Sequence, residues 1–104
     1  MRFPSELVNQ AEIARKVDAV AKGLAPDVVR IRFSIDQDWS GDWSIFFRIV
    51  LSDRASREQR LPEVTRRVRS QLSEQLNLAE SDLFAYFNFR SQSEQTVLRE
   101  KEWA

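Results

Sequence analysis

Residues 28–52 read VVRIRFSIDQDWSGDWSIFFRIVLS, and the parsing of this stretch decides the fold. In VVRIRFSI, alternation places Val29, Ile31, Phe33 and Ile35 on one face and Arg30, Arg32 and Ser34 on the other. The pattern resumes in WSIFFRIVLS. There Trp43, Ile45, Phe47, Ile49 and Leu51 share a face, and Ser44, Phe46, Arg48 and Val50 share the opposite one. Two period-two runs separated by a polar segment containing Ser40-Gly41 predict a β-hairpin. Its apolar face must be covered by whatever flanks it.

Upstream, Glu6 to Lys22 carries Leu7, Ala11, Ile13, Val17, Val20 and Ala21 near helical spacing, with Arg15, Lys16, Asp18 and Lys22 mostly on the other side. Ser5 is the expected N-cap after Pro4. Gly23 is the expected left-handed residue past the last turn, and Pro26 blocks continuation. Downstream, the charged connection DRASREQR leads to a second helix over Leu61 to Leu76, with Pro62 in its first turn. Val64, Val68, Leu72 and Leu76 form its apolar stripe, and Asn77 is placed to end it. LFAYFNFR then predicts a third strand that separates Ala85, Phe87 and Phe89 from Phe84, Tyr86, Asn88 and Arg90.

Two amphipathic helices and a sheet bury their apolar surfaces most simply as layers. The expected fold is therefore an α+β two-layer sandwich of order α-β-β-α-β. Its three-stranded sheet carries two helices on one face, followed by a short C-terminal tail or helix. A chain of 104 residues makes a single domain. Residues 1–90 are the expected compact core, and 91–104 a charged tail ending in Trp103. Alternation assigns faces to the third strand but no neighbour.

Composition narrows the chemistry. Seven Phe, three Trp and 42% apolar residues oppose disorder. The start, MRFPSELVNQ, lacks the apolar run of a signal peptide, and no stretch has the length to span a bilayer, so the expectation is a cytoplasmic protein with no membrane partner. There is no Cys and no His. Thiolate chemistry and the commonest general base and metal ligand are thereby excluded, and no nucleophile elbow or phosphate-binding glycine loop occurs. The expectation is a protein that is not an enzyme and uses no cofactor. Net charge is zero, with Arg outnumbering Lys thirteen to three. Six Arg (54, 57, 60, 66, 67, 69) face only Glu58 and Glu63 between residues 54 and 70. A phosphate backbone would suit that run, and a solvated helix face explains it equally.

The tip DQDWSGD resembles the opening of an EF-hand calcium loop, whose ligands stand at positions 1, 3, 5, 7, 9 and 12. Counting from Asp36 gives Asp36, Asp38, Ser40, Asp42 and Ser44, but the closing position is Phe47 instead of a bidentate Glu. The stretch is therefore read as a hairpin turn, with no metal site expected. The stronger candidate is the outer sheet face, made of Arg30, Arg32, Phe46, Arg48, Val50, Phe84, Tyr86, Asn88 and Arg90, with Trp39 at the tip and Trp103 at the end. Aromatic rings among guanidinium groups suit either a protein contact or single-stranded RNA, whose bases stack on rings while Arg holds phosphate. Cover by the C-terminal tail is a third use of the same face.

The element order resembles that of ribosome-binding factor A, of type II KH domains and of the cytoplasmic domain of cation-diffusion transporters. The likeness lies in topology. The G-x-x-G loop of KH domains is missing, since no glycine follows Gly41, and so are the transporters' metal-binding His. Taken together, the residues point to a non-catalytic protein-interaction domain that self-associates, as a dimer, or docks onto a larger protein. Single-stranded RNA binding through Arg30, Arg32, Arg48, Tyr86 and Arg90 beside Phe46 and Phe84 is the rival, with an enzyme or a calcium loop behind both.

Overall fold

A computed structural model describes residues 9–104. Its elements follow the expected order: α1 (Gln10–Gly23), β1 (Val28–Gln37), β2 (Trp43–Leu51), α2 (Leu61–Gln75), β3 (Phe84–Ser91) and α3 (Gln92–Leu98). Short 3-10 turns at Leu78–Glu80 and Lys101–Trp103 complete the chain. Ser5, Pro4 and Leu7, assigned above to the start of the first helix, lie outside the described residues.

The described strands form one sheet in the order β1-β2-β3. β1 and β2 pair antiparallel as a hairpin, while β3 runs parallel to β2 along its other edge. A parallel neighbour requires a crossover, and α2 provides it. Both long helices lie on one face. Val17 and Val20 from α1 and Val64, Val68 and Leu72 from α2 are buried in one cluster with Ile31, Ile45, Phe47, Ile49 and Leu51. Phe47 and Phe87, register partners on this face, stack at 5.2 Å between centroids. On this same face Arg69 of α2 lies over Phe89, its Cζ 5.5 Å from the ring centroid.

Three details depart from the sequence reading. The β1–β2 register shifts between Val28 and Arg30, so two residues of β1 share one step of β2. This bulge turns the side chains over. Val28 enters the core, and Val29, expected there, is 37% exposed. Gly23 is not left-handed. It closes α1 as a helical residue, and the chain leaves through Leu24, whose N–H reaches Val20 O at 3.1 Å. Ala11, counted with the apolar stripe, is exposed. At the end of α2 the reading holds: Asn77 takes the left-handed conformation, φ 51°, and stops the helix.

Candidate functional site

The outer face of the sheet is built in rows of register partners. From the hairpin tip inward they are Asp36–Ser44–Phe84, Ser34–Phe46–Tyr86, Arg32–Arg48–Asn88 and Arg30–Val50–Arg90. The structure therefore brings all nine sheet residues of the candidate face onto one surface. It then divides that surface into two ends.

The inner end is covered by the chain itself. Ser91 caps α3 with a full capping box: its Oγ accepts from Glu94 N at 3.1 Å, and its own N–H donates to Glu94 Oε1 at 2.9 Å. Those bonds hold the Glu94 carboxyl below the usual carboxylate range. Asp53 anchors the same helix from the β2–α2 connection, accepting from Ser93 N at 3.0 Å and Ser93 Oγ at 2.6 Å. Arg99, left-handed at φ 52°, ends α3 with its N–H on Gln95 O. Beyond it the chain folds back across the row Arg30–Val50–Arg90. Arg30 Nε donates to Trp103 O and Arg32 Nε to Ala104 O, each at 2.7 Å. The Arg90 guanidinium stacks 4.2 Å from the Trp103 ring centroid and pairs with Glu100. Arg90 Nη1 also donates to Gln95 Oε1 at 3.1 Å. Val50 is fully buried as a result, and Trp103 is only 8% exposed. Both were candidates for a partner-binding face, yet in this chain each is satisfied internally.

The outer end is uncovered. Phe46 and Tyr86 stack at 5.1 Å with ring planes 12° apart. Phe84, in the next row, is 56% exposed. Trp39 stands at the hairpin tip, 93% exposed. The tip itself is rigidly wired. Asp38 Oδ1 accepts from Ser40 N at 2.9 Å, Ser40 Oγ at 2.6 Å and Asp42 N at 3.0 Å. Asp38 Oδ2 accepts from Tyr86 OH at 2.8 Å and Ser44 Oγ at 3.3 Å. Gly41 permits the turn with φ +88°. The Ser40 hydroxyl, then the Tyr86 hydroxyl and the two amides, hold the Asp38 carboxyl far below the usual carboxylate range. The same contact to Asp38 raises the Tyr86 phenol. The Asp38–Tyr86 bond was not read from sequence. A D-x-S-G turn announces its own capping, but nothing local announces a partner 48 residues away.

Between the ends lies an electrostatic imbalance. Arg32 and Arg48 are direct cross-strand partners, an arrangement of like charges that costs stability. Arg48 Nη1 donates to Ser34 Oγ at 3.0 Å. Among the described residues, none of Arg30, Arg32 and Arg48 forms an ion pair with an Asp or Glu side chain. By contrast, Arg60 and Arg67, from the basic segment around α2, pair with Asp27 and Glu63.

Among the described residues no three His, Cys, Asp or Glu side chains come together as a metal-binding group, and no helix is long and apolar enough to cross a membrane. No protein-family model, curated protein or solved structure matches the chain.

Proposed function

We propose that this is a non-catalytic, cytoplasmic interaction domain whose partner is a protein, in the simplest case a second copy of itself. The contact surface is the uncovered end of the outer sheet face. The observation that carries the reading is that two large rings, Trp39 at the hairpin tip and Phe84 in the sheet row nearest that tip, are exposed at the end of the sheet that holds the Phe46–Tyr86 stack. Rings held by a braced turn and a strand lose little freedom on binding, and aromatic anchors of this kind dominate interface energetics. Zero net charge adds no long-range repulsion between copies. The shifted carboxylates support the non-catalytic part. Asp38, Asp53 and Glu94 are depressed by hydrogen bonds that brace a turn or cap a helix, which is structural work.

Sedimentation equilibrium tests the reading. The wild-type chain is expected to dimerise in the micromolar range, and Trp39→Ala with Phe84→Ala to shift it to monomer while its circular dichroism is unchanged. A wild-type chain that stays monomeric at millimolar concentration, or a double variant that dimerises as well as wild type, rejects this contact surface.

A further inference from the structure

The covered end of the sheet face holds its own tail by a particular chemistry. One planar aromatic ring lies on a guanidinium plane, and two main-chain oxygens are each taken by an arginine Nε. A carboxylate, Glu100, is added on Arg90. A base stacked on an arginine, with phosphate oxygens on neighbouring guanidinium groups, would meet the same donors in the same places. We propose that the row Arg30–Val50–Arg90, with Arg32 and Arg48 beside it, is a single-stranded nucleic-acid site, and that the Trp103 segment occupies it as an internal competitor.

Three observations support this beyond the likeness of contacts. Among the described residues, Arg30, Arg32 and Arg48 crowd adjacent rows with no Asp or Glu side chain paired to them, so a polyanion bound there gains charge neutralisation. Arg90 is held by Gln95 of α3 as well as by the tail. Its plane therefore stays positioned when the tail leaves. The tail is also separable: α3 is fixed by the Ser91–Glu94 box and by Asp53, while past the left-handed Arg99 the polar contacts to the face, among the described residues, run through Arg30, Arg32, Arg90 and Gln95. The site is distinct from the tip contact and stands or falls without it.

The test uses the full chain and a fluorescein-labelled single-stranded oligouridylate octamer at low salt, read by anisotropy. Wild type is expected to bind weakly, and Trp103→Ala about tenfold more tightly, the gain corresponding to one displaced stacking partner. Arg30→Ala with Arg32→Ala in the Trp103→Ala background is expected to abolish the gain. Inorganic polyphosphate of equal charge is expected to bind worse than the octamer, since it offers no ring. In wild type, independently of any variant's folding, saturating octamer is expected to speed hydrogen exchange at Trp103 and Ala104, whose amides are bonded within the tail segment. Unchanged exchange in wild type under saturation overturns the competitor role. Polyphosphate binding as tight as the octamer's overturns the nucleic-acid assignment in favour of a general anion. Equal octamer affinity of wild type and a folded Trp103→Ala overturns the proposal as a whole.

Discussion

At one end of the outer sheet face a tryptophan is folded down onto an arginine and buried; at the other, a tryptophan points into solvent from a hairpin tip. Both ends carry large aromatic side chains, so the presence of a ring does not explain the contrast. What differs is the backbone that delivers each ring. Trp103 follows a seven-residue helix, capped and anchored to Asp53, and a left-handed Arg99 that turns the chain back. Trp39 belongs to a turn whose polar groups are already satisfied by Asp38. A braced turn cannot bend to bury its own ring. One aromatic thus became part of the monomer's packing, and the other stayed exposed.

The largest effect should come from removing the buried ring. Trp103→Ala is expected to lower unfolding stability by about 3 kcal/mol, as for truncation of a large buried aromatic, measured by urea denaturation. Val50 then becomes wet and Arg90 loses its stacking partner. A loss under about 1 kcal/mol would mean that the tail rests on the face without packing there, and the two ends would be alike after all.

Next comes the wiring of the open end. Asp38, Asp53 and Glu94 all have carboxyls held lower in the folded chain than in the unfolded one. Their contribution is present above the unfolded carboxylate range, near pH 4, and is lost as pH falls below it toward the folded values. The melting temperature should therefore drop as pH falls from about 5 to 2, and Asp38→Asn should flatten part of that slope. Tyr86 has the opposite sign. Its raised phenol keeps its full contribution below about pH 10 and loses it above, as the unfolded chain ionises first. An acid slope unchanged in Asp38→Asn would show that the turn is not held by this carboxylate.

A smaller effect tests the turn's backbone alone. A Cβ on Gly41 would meet nothing within 4 Å, but its φ of +88° is one that side chains rarely adopt. Gly41→Ala is expected to cost about 1 kcal/mol from conformation alone. Because the same strain loosens the tip, it should also weaken self-association.

Much of this architecture is legible in the sequence. Period-two runs located all three strands and, beyond the start of β1, their faces, and Val64, Val68 and Leu72 marked the stripe that α2 buries. What escaped was whatever depends on one residue of register or on distant partners. The bulge at Val28–Arg30 exchanges Val29 for Val28, and local alternation carries no trace of it. The parallel place of β3 beside β2 depends on the crossover through α2, which a face pattern does not specify. Cover by the tail was legible as one of three uses of the face, with Trp103 to advertise it, but its grip was not: Arg30 and Arg32 hold main-chain oxygens, which every residue possesses. The same limit hid the Asp38–Tyr86 bond, because it joins a turn to a strand whose neighbour was unknown.

The smallest effect on stability bears most directly on the comparison. Trp39→Ala removes the most exposed large hydrophobic side chain among the described residues, and the turn's hydrogen bonds to Asp38 involve none of its side-chain atoms. Monomer stability, measured by urea denaturation at a concentration too low for dimers, should move by no more than about 0.5 kcal/mol. Self-association in the same protein should fall sharply. The two measurements must separate, because a ring that contributes nothing to its own fold and everything to a contact is what distinguishes Trp39 from Trp103. If Trp39→Ala instead destabilises the monomer by more than about 1 kcal/mol, the ring has a partner within its own chain, and both ends of the sheet face have been folded for the monomer's sake.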